Sequence, residues 1–103
     1  MSRVILAPKH ALETVKYVFD FASLLAVGET LSTATTTATV YSGTDASPQA
    51  VISGSAEVSA EEVTQQVTGG ASGVTYLLTC TATTSAGNVL QQIGYLVVVP
   101  AVA

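Results

Sequence analysis

Hydrophobic and polar positions alternate with a period of two over much of the chain, as in strands with one face on a core and one toward solvent. In residues 13–21, Val15, Tyr17, Phe19 and Phe21 share one parity, while Thr14, Lys16 and Asp20 hold the other. Val18 breaks the polar face, which suits an edge or a second interface. The cleanest alternation lies over residues 74–83. There Val74, Tyr76, Leu78, Cys80 and Ala82 point one way and Thr75, Thr79, Thr81 and Thr83 the other. Residues 31–41 are dominated by threonine, whose branched Cβ favours extended backbone, with Ala34, Ala38 and Val40 on one parity. Residues 89–99 read as a long last strand with Val89, Ile93, Tyr95, Val97 and Val99 facing inward. Pro100, unable to donate to a ladder, ends it.

Turn chemistry separates these runs. Residues 22–28 read as a turn before Gly28 reverses the chain, and residues 42–48 are a run of Ser, Gly, Thr, Asp, Ala and Pro. Residues 50–53 form a short strand candidate. Residues 55–67 give two short strands, because Val58, Val63 and Val67 form no continuous helical stripe. Residues 68–73 are a glycine loop, and residues 84–88 suit a hairpin with Gly87 or Asn88 at positive φ. About seven short strands with turns every 8–12 residues or so predict an all-β fold, a single antiparallel immunoglobulin-like β-sandwich with an extended N-terminal arm. Residues 1–10 are the expected arm, 11–100 the sandwich and 101–103 a tail. In such folds a tyrosine near the start of the penultimate strand bonds back to the preceding corner, a role that falls to Tyr76. Cys80 is then a core filler.

Composition adds a surface problem. Of 103 residues 49% are hydrophobic and only 10% charged, against about 25% charged in ordinary domains. Such a chain can bury a core but leaves much surface without charge, which points to coverage by partner subunits. The net charge is −4, and the three basic residues, Arg3, Lys9 and Lys16, all lie near the N-terminus. No basic patch exists to neutralise phosphates, so nucleic acid is not an expected ligand. The N-terminal arm is mildly positive and the body electronegative, which would let the arm dock on an acidic neighbour. The apolar run near the N-terminus is shorter than a signal-peptide core or a membrane span, so no membrane role is expected and synthesis in the cytoplasm is.

No catalytic pattern emerges. Cys80 is the only cysteine, so it has no internal disulfide partner, and the sequence offers no metal-ligand spacing around it. His10 stands beside Lys9 without a motif-fixed acid or base partner. The adjacent Glu61 and Glu62 project to opposite faces of a strand, unlike a glycosidase pair. Residues 68–73 lack the lysine of a phosphate-binding loop, and no serine stands in a Gly-x-Ser-x-Gly elbow. Neither an enzyme nor a cofactor is expected, and a calcium site would require the scattered Asp20, Glu29, Asp45 and Glu57 to meet through loops.

Lys9, Glu13, Tyr17, Phe19-Asp20-Phe21, Leu24-Leu25 and Gly28-Glu29-Thr30-Leu31-Ser32, and then Val63, Gly69-Gly70 and Gly73-Val74-Thr75-Tyr76, make a pattern over residues 8–99 that resembles small phage virion proteins of the fiber-tail adaptor or neck structural type. A threonine-alternating strand, a glycine hairpin and a valine-rich end follow. His10-Ala11 and Phe21 depart from the Asp-Pro and tryptophan of that pattern. The resemblance implies a non-enzymatic virion subunit in the tail or neck of a tailed bacteriophage. Its implied partners are tail or neck ring subunits, a tail fiber or spike, and copies of itself.

The candidate interface residues are Val4, Ile5 and Leu6, an apolar segment able to pair with a neighbouring subunit as an added strand, together with His10 and Tyr41. Tyr41 ends the threonine strand opposite in parity to Val40, as either an exposed interface anchor or a core or corner tyrosine. A capsid cement protein is an alternative of the same structural class. A carbohydrate-binding module on a host-recognition structure is one of a different class, disfavoured by the absence of tryptophan and by the inward parity read for most tyrosines.

Overall fold

The computed structural model describes residues 2–5 and 8–99, with side chains over 8–99. The strands are β1 (Ser2–Ile5), β2 (Lys9–His10), β3 (Thr14–Asp20), β4 (Leu31–Ser42), β5 (Ile52–Ser59), β6 (Glu62–Thr68), β7 (Thr75–Thr84) and β8 (Val89–Val99). Short 3₁₀ turns at Ala22–Leu24 and Pro48–Val51 replace the sequence-predicted turn and the first half of the strand expected at residues 50–53.

Two sheets result. One has the order β3-β6-β5, and the other the order β1-β8-β7-β4 with β2 also on β8. The chain is therefore all-β and sandwich-like, with an antiparallel body. The arm departs from the antiparallel expectation, because β1 and β2 both lie parallel to β8 of their own chain. Of the arm's candidate residues, Val4 stands opposite Gly94 and Ile5 opposite Tyr95. Leu6 lies outside the described residues, as do Pro100 and the expected tail at 101–103.

The sheets meet over a core to which both contribute. Tyr17, Phe19, Phe21, Val63 and Val67 come from the β3-β6 side, and Tyr76, Leu78, Cys80, Ala82, Leu96 and Val98 from the β7-β8 side. The predicted inward parities of β3 and β7 hold. Val18, on edge strand β3, is half exposed.

The parity of β8 is the reverse of that expected. Gln92, Leu96 and Val98 are buried, whereas Val89 and Val97 are exposed and Ile93, Tyr95 and Val99 are partly exposed. The cause is register. Tyr76 pairs with Leu96 and Leu78 with Gly94, and directly opposed residues of an antiparallel pair point to the same face. Even positions of β7 therefore bring even positions of β8 inward. Polar Gln92 is accommodated because its amide Nε2 donates to the Asp20 carbonyl, linking the two sheets.

A second inward amide fills an irregularity. β5 slips against β6 between Ser53 and Glu57. Gln65 of β6, 1% exposed, reaches the carbonyls of Ser53 (3.1 Å) and Gly54 (3.3 Å) there. At the free margin of β4, Gln49 plays a similar part from the Pro48–Val51 turn. Its Oε1 accepts from the Ala38 amide (2.8 Å) and its Nε2 donates to the Thr36 carbonyl (3.3 Å). Unpaired groups at a sheet margin are templates for another strand, and here one side chain occupies two of them.

Candidate interaction surfaces

With dimensions of 50 × 20 × 20 Å, the molecule has two distinct ends. One end gathers the start of β7, the glycine loop and β2. Here the Tyr76 hydroxyl donates to Asp45 Oδ2 (2.5 Å) and accepts from the Ala71 amide (2.7 Å). This is the corner bond expected of Tyr76, extended by a carboxylate. The Tyr76 hydrogen bond, with that from the Ser47 amide, holds the Asp45 carboxyl below its usual range, while burial and the neighbouring carboxylate push the phenol upward. Gly70 sits at φ +98°, where a Cβ would come within 2.9 Å of Val98 Cγ2. Only a residue without a side chain fits there comfortably.

Lys9 belongs to this end and corrects the reading of a positive arm. It is 1% exposed, and its ammonium donates to the carbonyls of Gly69 (2.6 Å) and His10 (2.7 Å). Burial pulls its pKa below the ordinary lysine value, partly offset by Glu13. It works as a bolt between β2 and the glycine loop, and is no free cation for docking. His10 is exposed, its backbone amide donating to Glu13 Oε1 (2.7 Å).

Among the described side chains, those on the outer face of the larger sheet carry no charge, and at its edge β1 sets Arg3 in register with Ile93. On β4, Thr33, Thr35, Thr37 and Thr39 face outward, set against Thr83, Thr81, Thr79 and Leu77 of β7. Toward the Lys9 end the threonines give way to apolar and aromatic groups. Tyr41 is 64% exposed and packs edge-on against Tyr95, with ring centroids 4.8 Å apart and planes at 65°. Leu77 lies opposite Tyr95 on the ladder, so the two rings meet across β7. Tyr41 falls at the register shift between Val40 and Ser42 and shares the parity of outward-facing Thr39.

Tyr41 is thus the exposed residue of its two expected readings, and Ile5 of the arm also stands opposite Tyr95 from the other side of β8. His10 lies further along β8, opposite Val99. Tyr95 escaped the sequence reading because β8 is apolar on both parities; the β7 register was the missing signal. Cys80 is fully buried and desolvation raises its thiol pKa to about 11. Among the described residues no group of three or more His, Cys, Asp or Glu side chains is arranged to hold a metal ion.

Residues 9–96 match the family model of the podophage GP4 fiber-tail adaptor protein gp77. The chain belongs to this family. Membership makes it a bacteriophage structural protein of the adaptor class and a virion tail component. The match begins at Lys9, the buried bolt, and ends at Leu96, the buried partner of Tyr76. No curated protein matches the chain.

Proposed function

We propose that this fiber-tail adaptor is a non-enzymatic subunit that joins the tail or neck of the particle to its fibers or spikes, and that it docks through the outer face of its larger sheet around Tyr41 and Tyr95. The observation that carries the reading is the Tyr41–Tyr95 pair. It is an exposed aromatic cluster on a face whose described side chains carry no charge. Tyrosine supplies a large amphipathic contact area, and exposed patches of this kind mark interaction sites. The edge-on packing presets the ring of Tyr41, which reduces the ordering cost of binding. Family membership supports partners among virion tail proteins.

The test uses particles assembled without this chain, incubated with purified protein and sedimented. Tyr41→Ala and Tyr41→Asp should lower incorporation at least tenfold while leaving the thermal unfolding midpoint unchanged, because Tyr41 is mostly exposed. Incorporation equal to wild type would remove this face from the interface.

The outward placement of Tyr41 and Tyr95 also bears on the glycan-binding alternative, whose case was weakened by an inward reading of the tyrosines. A glycan array probed with the wild-type protein discriminates the two. Micromolar binding abolished by Tyr41→Ala, with particle incorporation intact, would favour the carbohydrate module.

A further inference from the structure

The two sheets differ in width. β4 lies against β5, and the Gln92 amide joins β8 to the end of β3. The sheet orders then set β7 against β6 and leave β1, among the described residues, opposite no strand of the smaller sheet. Beside β3 and over β1 there is therefore a position one strand wide. Ser2 and Val4 of β1 hold the register of Gln92 and Gly94, the parity that faces the smaller sheet, while Arg3 holds that of Ile93 on the opposite parity. Arg3 is thus placed by register on the outer face of the larger sheet, away from this position.

The margin of β3 offers a ladder to that position. The Phe21 amide donates to the Glu61 carbonyl (2.8 Å), one residue past the Asp20–Glu62 pair. Odd positions of β3 therefore bond to β6, and Thr14, Lys16, Val18 and Asp20 aim their N–H and C=O groups away from it. The Asp20 carbonyl meets Gln92 there, which takes one of its two lone pairs. The register from Thr14 to Asp20 is unbroken. By contrast β5, the other margin of this sheet, slips between Ser53 and Glu57, and the margin of β4 carries Gln49. A straight row of open groups is a template for an added strand.

We infer that β3 receives an extended segment of another virion protein as a fourth strand of the smaller sheet, one that sets an acidic side chain against Lys16, an apolar one against Val18 and a lysine or arginine against Asp20. The open ladder calls for extended backbone, and charge complementarity selects its side chains. Lys16, Val18 and Asp20 share the outer face of β3. Val18 is 51% exposed between the two charges, and Lys16 has only a long, exposed contact with Glu57 (4.0 Å). A second copy joined β3 to β3 would bring its own β8 into the place that β1 holds, so the occupant is a single strand. The inference rests on the adaptor reading, which supplies a virion partner, and adds a margin contact to the Tyr41 face.

Hydrogen exchange read residue by residue tests it, on the free protein and on particles that have taken it up. In the free protein the amides of Lys16, Val18 and Asp20 should exchange faster than those of Tyr17 and Phe19, and in particles they should slow at least tenfold. Lys16→Glu should lower incorporation at least tenfold with an unchanged unfolding midpoint, and Lys16→Gln should fall between it and wild type. Thr14→Cys carrying a photo-crosslinking maleimide should cross-link in particles to a segment of another virion protein in which an apolar residue has an acid two positions to one side and a base two positions to the other. Even-position amides that are already slow in the free protein or stay fast in particles, full incorporation of Lys16→Glu, or cross-links to this chain itself would overturn the inference while leaving the adaptor reading in place. Failure of wild-type protein to join the particles would instead remove the adaptor reading, and this inference with it.

Discussion

The phenol of Tyr76 stands between Asp45 and the Ala71 amide, donating to the first and accepting from the second. One buried side chain thereby ties the 43–47 loop and the glycine loop to β7. Tyr76→Phe removes both bonds and leaves a partly buried amide unpartnered. It should destabilise the protein by about 1–3 kcal/mol, read from the urea midpoint, with the circular dichroism spectrum unchanged. A stability equal to wild type would show that water replaces the phenol at no cost.

Gly70 carries the neighbouring constraint. At φ +98° and with Val98 and Tyr76 against the position of a Cβ, Gly70→Ala should cost at least about 1 kcal/mol. By contrast Gly87→Ala, at φ +86° with open space around it, suffers only the backbone strain. The difference between the two midpoints isolates the packing contribution.

Asp45 and Glu29 set the acid limb of stability. Hydrogen bonds hold both carboxyls below the values they take in the unfolded chain, near about 4. Groups with depressed folded pKa values contribute stability that is whole above the unfolded value and disappears as pH falls through the folded one. Urea midpoints should therefore stay level from neutral pH to about 5 and drop below about 4. Asp45→Asn and Glu29→Gln should each flatten that drop.

Lys9 is tested by separating its stem from its charge. Lys9→Ala leaves the Gly69 and His10 carbonyls without their donor and opens space, and should cost about 1–3 kcal/mol. Lys9→Met keeps the stem and removes a charge whose burial is itself unfavourable, so it should lose less. Equal losses in calorimetry would mean that the two carbonyl bonds dominate.

Cys80 should resist an aromatic disulfide reagent in native buffer and react fully in denaturant. It is fully buried, with its thiol pKa raised to about 11, and only the thiolate attacks. Rapid native labelling would show that β7 opens without global unfolding.

The legibility of the fold followed how one-sided each strand is. β3 and β7 place aromatic and aliphatic groups on one parity against Thr, Lys and Asp on the other, and both faces were assigned correctly. β8 offers Val89, Leu90, Ile93, Tyr95, Leu96, Val97, Val98 and Val99, apolar on both parities. Only its register on β7 decides which side is buried, and that choice buries Gln92. Lys9 misled for a related reason, since a lysine near an N-terminus reads as solvated until the Gly69 carbonyl is placed beside it. The exposure of Tyr41 was one of two open readings, but its partner Tyr95 required three strands to be in register.

Gln49 and the arm have a joint consequence for the margins of the larger sheet. A threonine-rich strand as long as β4, left open, would invite copies of itself to stack without limit. With the amide of Gln49 seated on one margin of the sheet and β1 and β2 lying along the other, strand addition at those margins has fewer open groups to use while the broad face stays available.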